Sequence, residues 1–305
     1  MFSNQVEHKY RTGGGEVNRH RKHPKRGFTL LMSVVALAIG VLVLASIARM
    51  SQSKAMLARQ QLLDLQWRWG NHSCQHVLLK NAKELLKVND EEIRLQPERE
   101  LRFHLGEQEI FVRIADENQK LDINTLAQRV PQAQLEKIVS QHNFAKLPVR
   151  LLPLPDRDRR NLKEGGLECW DQVWDLPAEP DIQQLIIGSR KLTLWANRLN
   201  VLCSRDETIR EFGQPFVGAI VVQQLLSARS SDSPKNSLEA MLADASVTDR
   251  HAEQCRRLFC DQSTSFSMWL TMVNGRRMQS SLTIREGIPV RGSQQVVERI
   301  HAFGW

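Results

Sequence analysis

The run FTLLMSVVALAIGVLVLASIA, Phe28 to Ala48, constrains this chain more than any other feature. It holds 21 residues without a charge. At about 1.5 Å of helical rise per residue it reaches about 30 Å, one bilayer hydrocarbon thickness. A buried helix of a soluble domain would show a polar face, and none interrupts this run. A cleaved secretory signal has a shorter apolar core and small residues on its far side. Here Ala45-Ser46-Ile47-Ala48 is only a fair match to such a cleavage site. The segment is expected to be a membrane-spanning helix.

Charge sets its orientation. Arg21-Lys22-His23-Pro24-Lys25-Arg26 precedes the run, and positive flanks stay cytoplasmic, which places residues 51–305 on the far side. Residues 1–27 carry Lys9, Arg11, Arg19, Arg21, Lys22, Lys25 and Arg26 against Glu7 and Glu16, whereas the whole chain is +8. Most of the positive charge therefore lies in the leader and serves as a topology signal, so no nucleic-acid partner is expected.

Arg26-Gly27-Phe28-Thr29-Leu30, followed by the apolar run, resembles the precursor signature of type IV pilins and type II secretion pseudopilins. The resemblance implies that a prepilin peptidase cuts between Gly27 and Phe28 and methylates the new amino group of Phe28. Glycine suits such a site because it lets a protease approach the backbone closely. Most of that family carries Glu at the fifth mature position, where it pairs with the amino terminus of an adjacent subunit. Here the position is Met32, which cannot form that pair. Within the family, the missing Glu marks the K-type minor pseudopilin (general secretion pathway protein K), the subunit at the pseudopilus tip.

Beyond the membrane, Arg49 to Lys87 reads as a continuing amphipathic helix that Gly70 weakens or bends, with Trp67 and Trp69 as core or junction residues. Leu101-Phe103-Leu105 and Ile110-Val112-Ile114 alternate around Gly106, which predicts a β-hairpin. Asp116-Glu117-Asn118-Gln119-Lys120-Leu121-Asp122-Ile123-Asn124 is similar to a stretch of K-type pseudopilins in which a DE pair precedes KLNLN. Asn124 is a helix-cap candidate there, and no nucleophile adjoins the acids. Gln132 to His142 and Asp181 to Gly188 read as short helices, and Val217 to Arg229 as an apolar one. A further helix begins at Ser237. Pro153 to Arg160 and Pro177 to Pro180 read as loops. Leu192 to Leu202, with Trp195 and Asn200, loosely resembles a second family stretch. Asn274-Gly275 between apolar strands predicts a closing hairpin.

The expected fold is α+β: a long N-terminal transmembrane helix packed on a small antiparallel sheet, with an inserted mainly helical region. The expected divisions are a removed leader (1–27), the transmembrane helix (28–48), its periplasmic continuation (49–99), the first part of the sheet (100–126), a shortened helical insert (127–191) and the second part of the head (192–305). The five cysteines form no CxxC or zinc ligand set, and Cys255 and Cys260 are close enough in sequence to pair in an oxidising compartment. No cofactor is expected. Calcium, which some relatives bind, has only the pairs Asp156 with Asp158 and Asp171 with Asp175 to hold it here.

The function implied by the resemblance is structural and non-enzymatic. It is a tip subunit aiding protein export across the outer membrane, anchored by a single pass in the bacterial inner membrane with its head in the periplasm. The implied partners are the I- and J-type minor pseudopilins, the major pseudopilin, the prepilin peptidase and the inner-membrane assembly platform. A minor pilin of a type IV pilus or DNA-uptake system would share the leader. A membrane-anchored periplasmic enzyme would need a clustered nucleophile and base, and the nine histidines are scattered, with none in a recognised catalytic motif.

Overall fold

A computed structural model describes residues 26–88, 95–106, 108–142, 147–151, 167–176, 182–230, 235–274, 277–289 and 296–304. The chain divides into two compact units, residues 1–63 and 64–305. The smaller unit's described part is helix alone. It is the first portion of α1 (Arg26–Cys74), whose apolar side chains from Phe28 to Ile47 are exposed. This helix contains one stretch long and apolar enough to cross a membrane.

In the larger unit, α1 passes through Gly70 without a break and runs into a π-helical turn, Gln75–Leu79, before α2 (Ala82–Leu86). The helical assignment continues through Gly70. The glycine serves as a point of close approach: a Cβ there would lie 3.1 Å from Ile110 Cδ1. Trp67 packs partly against the core beneath the sheet, whereas Trp69 is 66% exposed.

The sheet begins with the expected hairpin, β1 (Glu98–Leu105) and β2 (Gln108–Asp116), with Gly106 at φ +63° where the chain turns. Then come β3 (Leu121–Asp122), α3 (Ile123–Leu126), α4 (Gln132–His142), α5 (Ile182–Gly188), β4 (Leu192–Thr193) and β5 (Leu199–Asn200). A helical group follows: α6 (Asp206–Val217), α7 (Ala219–Arg229), α8 (Leu238–Asp244) capped by Ser237, and α9 (Asp249–Leu258). After β6 (Phe259–Cys260), the chain returns to the sheet as β7 (Phe266–Asn274), β8 (Arg277–Pro289) and β9 (Val296–Gly304). The described five-stranded sheet has the order β1-β2-β7-β8-β9 and is antiparallel throughout. The closing hairpin is present, with Asn274 paired to Arg277; Gly275 lies outside the described residues.

Strands β2 and β7 are neighbours in the sheet, so residues 117–265 lie between them in the chain, and residues 192–265 contribute no strand to the described five-stranded sheet.

Alternation decides which face of the sheet meets which partner. Ile110, Val112 and Ile114 pair across from Met272, Leu270 and Met268, and pack with Leu79, Ala82 and Leu86 of the helical side. On the other face, Trp269 pairs with Leu282 and, with Ile284, joins the core of the helical insert. Both faces carry buried side chains, which is why apolar residues such as Met268, Trp269 and Leu270 follow one another in β7.

Within the insert, Gly213 of α6 is a second close approach. A Cβ there would meet Val222 Cγ2 at 2.8 Å and Phe259 Cζ at 2.9 Å. Overpacking a filled core costs about 1–3 kcal/mol. Gly213→Ala is expected to destabilise by about that much despite alanine's better helix propensity, and a urea midpoint shift measures it.

Candidate functional site

The segment following β2 gathers buried polar side chains. Asp116, at the strand's end, is fully buried and accepts from Asn118 N (2.9 Å), Gln119 Nε2 (2.9 Å) and Ser263 Oγ (2.5 Å). Asn118 donates through Nδ2 to the carbonyls of Ala196 (2.9 Å) and Arg198 (2.7 Å). Its Oδ1 accepts from the backbone N–H groups of Thr264 (2.9 Å) and Ser265 (2.8 Å). All four hydrogen-bonding capacities of one amide are thus used on two distant loops. Glu117 forms a buried ion pair with Lys120 and accepts from Ser267 Oγ.

Asn200, from the second resembling stretch, completes this knot. It donates to Ser263 Oγ at 2.8 Å, while its Oδ1 accepts from the backbone N–H groups of Leu202 and Cys203. Trp195 of the same stretch is buried edge-on against Trp170, which stacks on Trp174 at 4.5 Å. The two resembling stretches therefore meet in space. The third participant, Ser263-Thr264-Ser265, escaped sequence reasoning because a short polar segment before a strand reads as an ordinary turn.

The cap assignment also changes. Asp122, not Asn124, is the N-cap of α3, accepting from Thr125 N at 3.1 Å and from Thr125 Oγ1. Asn124 lies inside the turn and ties Leu167 to Leu194: it donates to both carbonyls and accepts from Leu167 N at 2.7 Å.

Burial pushes Asp116 and Asp122 each up to about 6, against the pull of their hydrogen bonds. Burial also lowers Lys120, with Glu117 opposing. A raised carboxyl means the folded chain holds its proton more tightly than the unfolded chain. The stabilisation from these two groups is full below about pH 4 and is lost as pH rises through about 6. Unfolding at pH 4.5 and 7 is expected to show lower stability at pH 7 from this source, and Asp122→Asn is expected to flatten the dependence. Glu286 and Glu298, whose carboxyls are lowered, act at the acid end of the scale and in the opposite sense.

Phe28 and Met32 lie on α1 and are 61% and 55% exposed, and Ser33 Oγ donates to Thr29 O at 2.9 Å. The expected cut after Gly27 falls in the helix's first turn. Cys255 and Cys260 are not joined; both are free thiols. Cys255 faces the core from α9 with Ala252 and Leu258, whereas Cys260 is held in β6 with its sulfur 3.9 Å from Arg198 O. Burial raises their thiols to about 11 and about 12. No group of three or more metal-ligating side chains is found among the described residues. Asp175 faces Arg150 at 3.4 Å, and Asp156 and Asp158 lie outside the described residues.

No family model matches the chain, and no curated protein matches it. Among solved structures, it is similar to a chain in the crystal structure of the GspK-GspI-GspJ complex from the enterotoxigenic Escherichia coli type 2 secretion system. The identity is 15%, the match covers 81% of this chain and 99% of that one, and the TM-score is 0.43.

Proposed function

We propose that the chain is a K-type minor pseudopilin: a structural tip subunit of a type II secretion pseudopilus, held in the inner membrane by a single pass with its head in the periplasm. The observation that carries this reading is Met32, the fifth residue after Gly27, in an apolar helix that opens Arg-Gly-Phe-Thr-Leu. A carboxylate at that depth would cost about 2.5–3.5 kcal/mol unless paired. A repeating subunit gains a partner for it at each step, and a subunit with none beyond it does not. On this reading the freed Phe28 is methylated, and α1 packs among the helices of the other pseudopilins. The head caps the assembly with the I- and J-type subunits. The Asp116–Asn124 knot then has a mechanical role, holding the helical insert to the sheet while the filament is pushed outward.

The test is intact-mass analysis of membrane-extracted protein from cells with and without the prepilin peptidase. The expected product starts at methylated Phe28 only when the peptidase is present. A chain still starting at Met1, or one cut near Ala48, would overturn the reading. Recovery with I- and J-type pseudopilins, rather than with pilins, separates this role from a minor pilin of a type IV pilus.

A further inference from the structure

We propose that His72 and His76 form a two-imidazole site for a divalent copper- or nickel-class ion on the exposed side of the helix. Histidines four residues apart share one helical face, the spacing that lets two imidazoles reach one metal. Here the pair straddles the junction between α1 and the π-helical turn Gln75–Leu79. Both residues are exposed, and their ring centroids are 4.3 Å apart with planes inclined at 48°. Their four-residue helical spacing brings the two rings together on this face.

The neighbouring positions serve the sheet instead. Gly70 abuts Ile110, Asn71 Oδ1 accepts from Ser281 Oγ at 3.2 Å, and Gln75 donates to Thr283 Oγ1 at 2.9 Å. The two histidines are therefore not needed to hold the helix in place.

The ring spacing is compatible with one shared ion. A metal–nitrogen bond of about 2.0 Å, with about 1.1 Å more to the ring centre, puts each centroid about 3.1 Å from the ion. Cis ligands at about 90° then have centroids about 4.4 Å apart, and tetrahedral ligands about 5.1 Å. The observed 4.3 Å is close to what two cis imidazole ligands of one ion take, and imidazole donors favour Cu²⁺ and Ni²⁺ in the usual order of divalent-ion affinity.

The experiment is isothermal titration of the detergent-solubilised full chain with NiCl₂ and with ZnCl₂. His8, His20 and His23 are replaced by Asn throughout to remove the leader's imidazoles. One Ni²⁺ per chain is expected, bound more tightly than Zn²⁺. His72→Gln and His76→Gln are each expected to weaken it at least tenfold. The double change His76→Gln with Val77→His keeps two histidines but moves one off the shared face, and is expected to be as weak as the single variants. Equal affinity in the parent and in His72→Gln/His76→Gln would overturn the site. So would full affinity in the displaced-histidine variant, which would show that histidine number rather than spacing captures the ion.

Discussion

Asn118→Ala is expected to cost about 4 kcal/mol or more of unfolding free energy, among the largest losses from any single side chain in the head. The residue is 1% exposed and satisfies the carbonyls of Ala196 and Arg198 and the N–H groups of Thr264 and Ser265. Truncation removes all four bonds, and each buried group left unpaired costs about 1–3 kcal/mol. Asn118→Asp should be nearly as damaging, because it keeps the acceptor but turns a second oxygen toward two carbonyls in a buried site. Urea unfolding of both variants provides the check. A loss below about 1 kcal/mol in Asn118→Ala would mean that the loops find other partners and that the amide is not the fastener described here.

The second large effect is at the Glu117–Lys120 pair, whose side chains are 2% and 5% exposed. Removing one member of a buried pair leaves an uncompensated charge, at about 3–5 kcal/mol, whereas replacing both can be nearly neutral. Lys120→Met is therefore expected to be severely destabilising, and Glu117→Gln combined with Lys120→Met to recover most of the loss. The comparison of midpoints is decisive. If the double variant is as weak as or weaker than Lys120→Met alone, the pair contributes through packing rather than through charge.

Much of the fold was legible where one local rule governed the residues. The hairpin at 98–116 follows from alternation and that at 266–289 from an Asn-Gly turn between apolar runs, while Gln132–His142 reads as a short helix, with Leu135 and Val139 buried. Helix α9 was not legible, because only Ala252, Cys255 and Leu258 are buried in an otherwise charged segment. Helix α6 carries Pro215, which reads as a break although the helix continues to Val217 and ends at Gly218, where φ is +86°. Strand β9 lies at the edge of the described sheet, and Glu298, Arg299 and His301 dilute its apolar pattern, so no local rule marks it as a strand. The candidate site was half legible. Its acids and amides stood out as a motif, but their roles depend on partners such as Ala196 and Ser265, which no local pattern connects to Asn118.

The order of strands also governs how the molecule can be made. Because β7, β8 and β9 complete a sheet begun by β1 and β2, the hairpin at 98–116 must wait for the C-terminal strands while the intervening segment condenses. Closing so long a loop is slow, and its entropic cost is recovered only when distant pairings form. During that interval Ile110, Val112 and Ile114 lack their β7 neighbours Met272, Leu270 and Met268, a sticky surface at the moment of synthesis. Chains truncated before Phe266 should therefore be degraded or aggregate rather than accumulate as a helical fragment on a stalk. Maturation of this protein is then a last-strand event, whereas the polar fastener around Asn118 engages residues 196–198 and 263–265, which precede those strands.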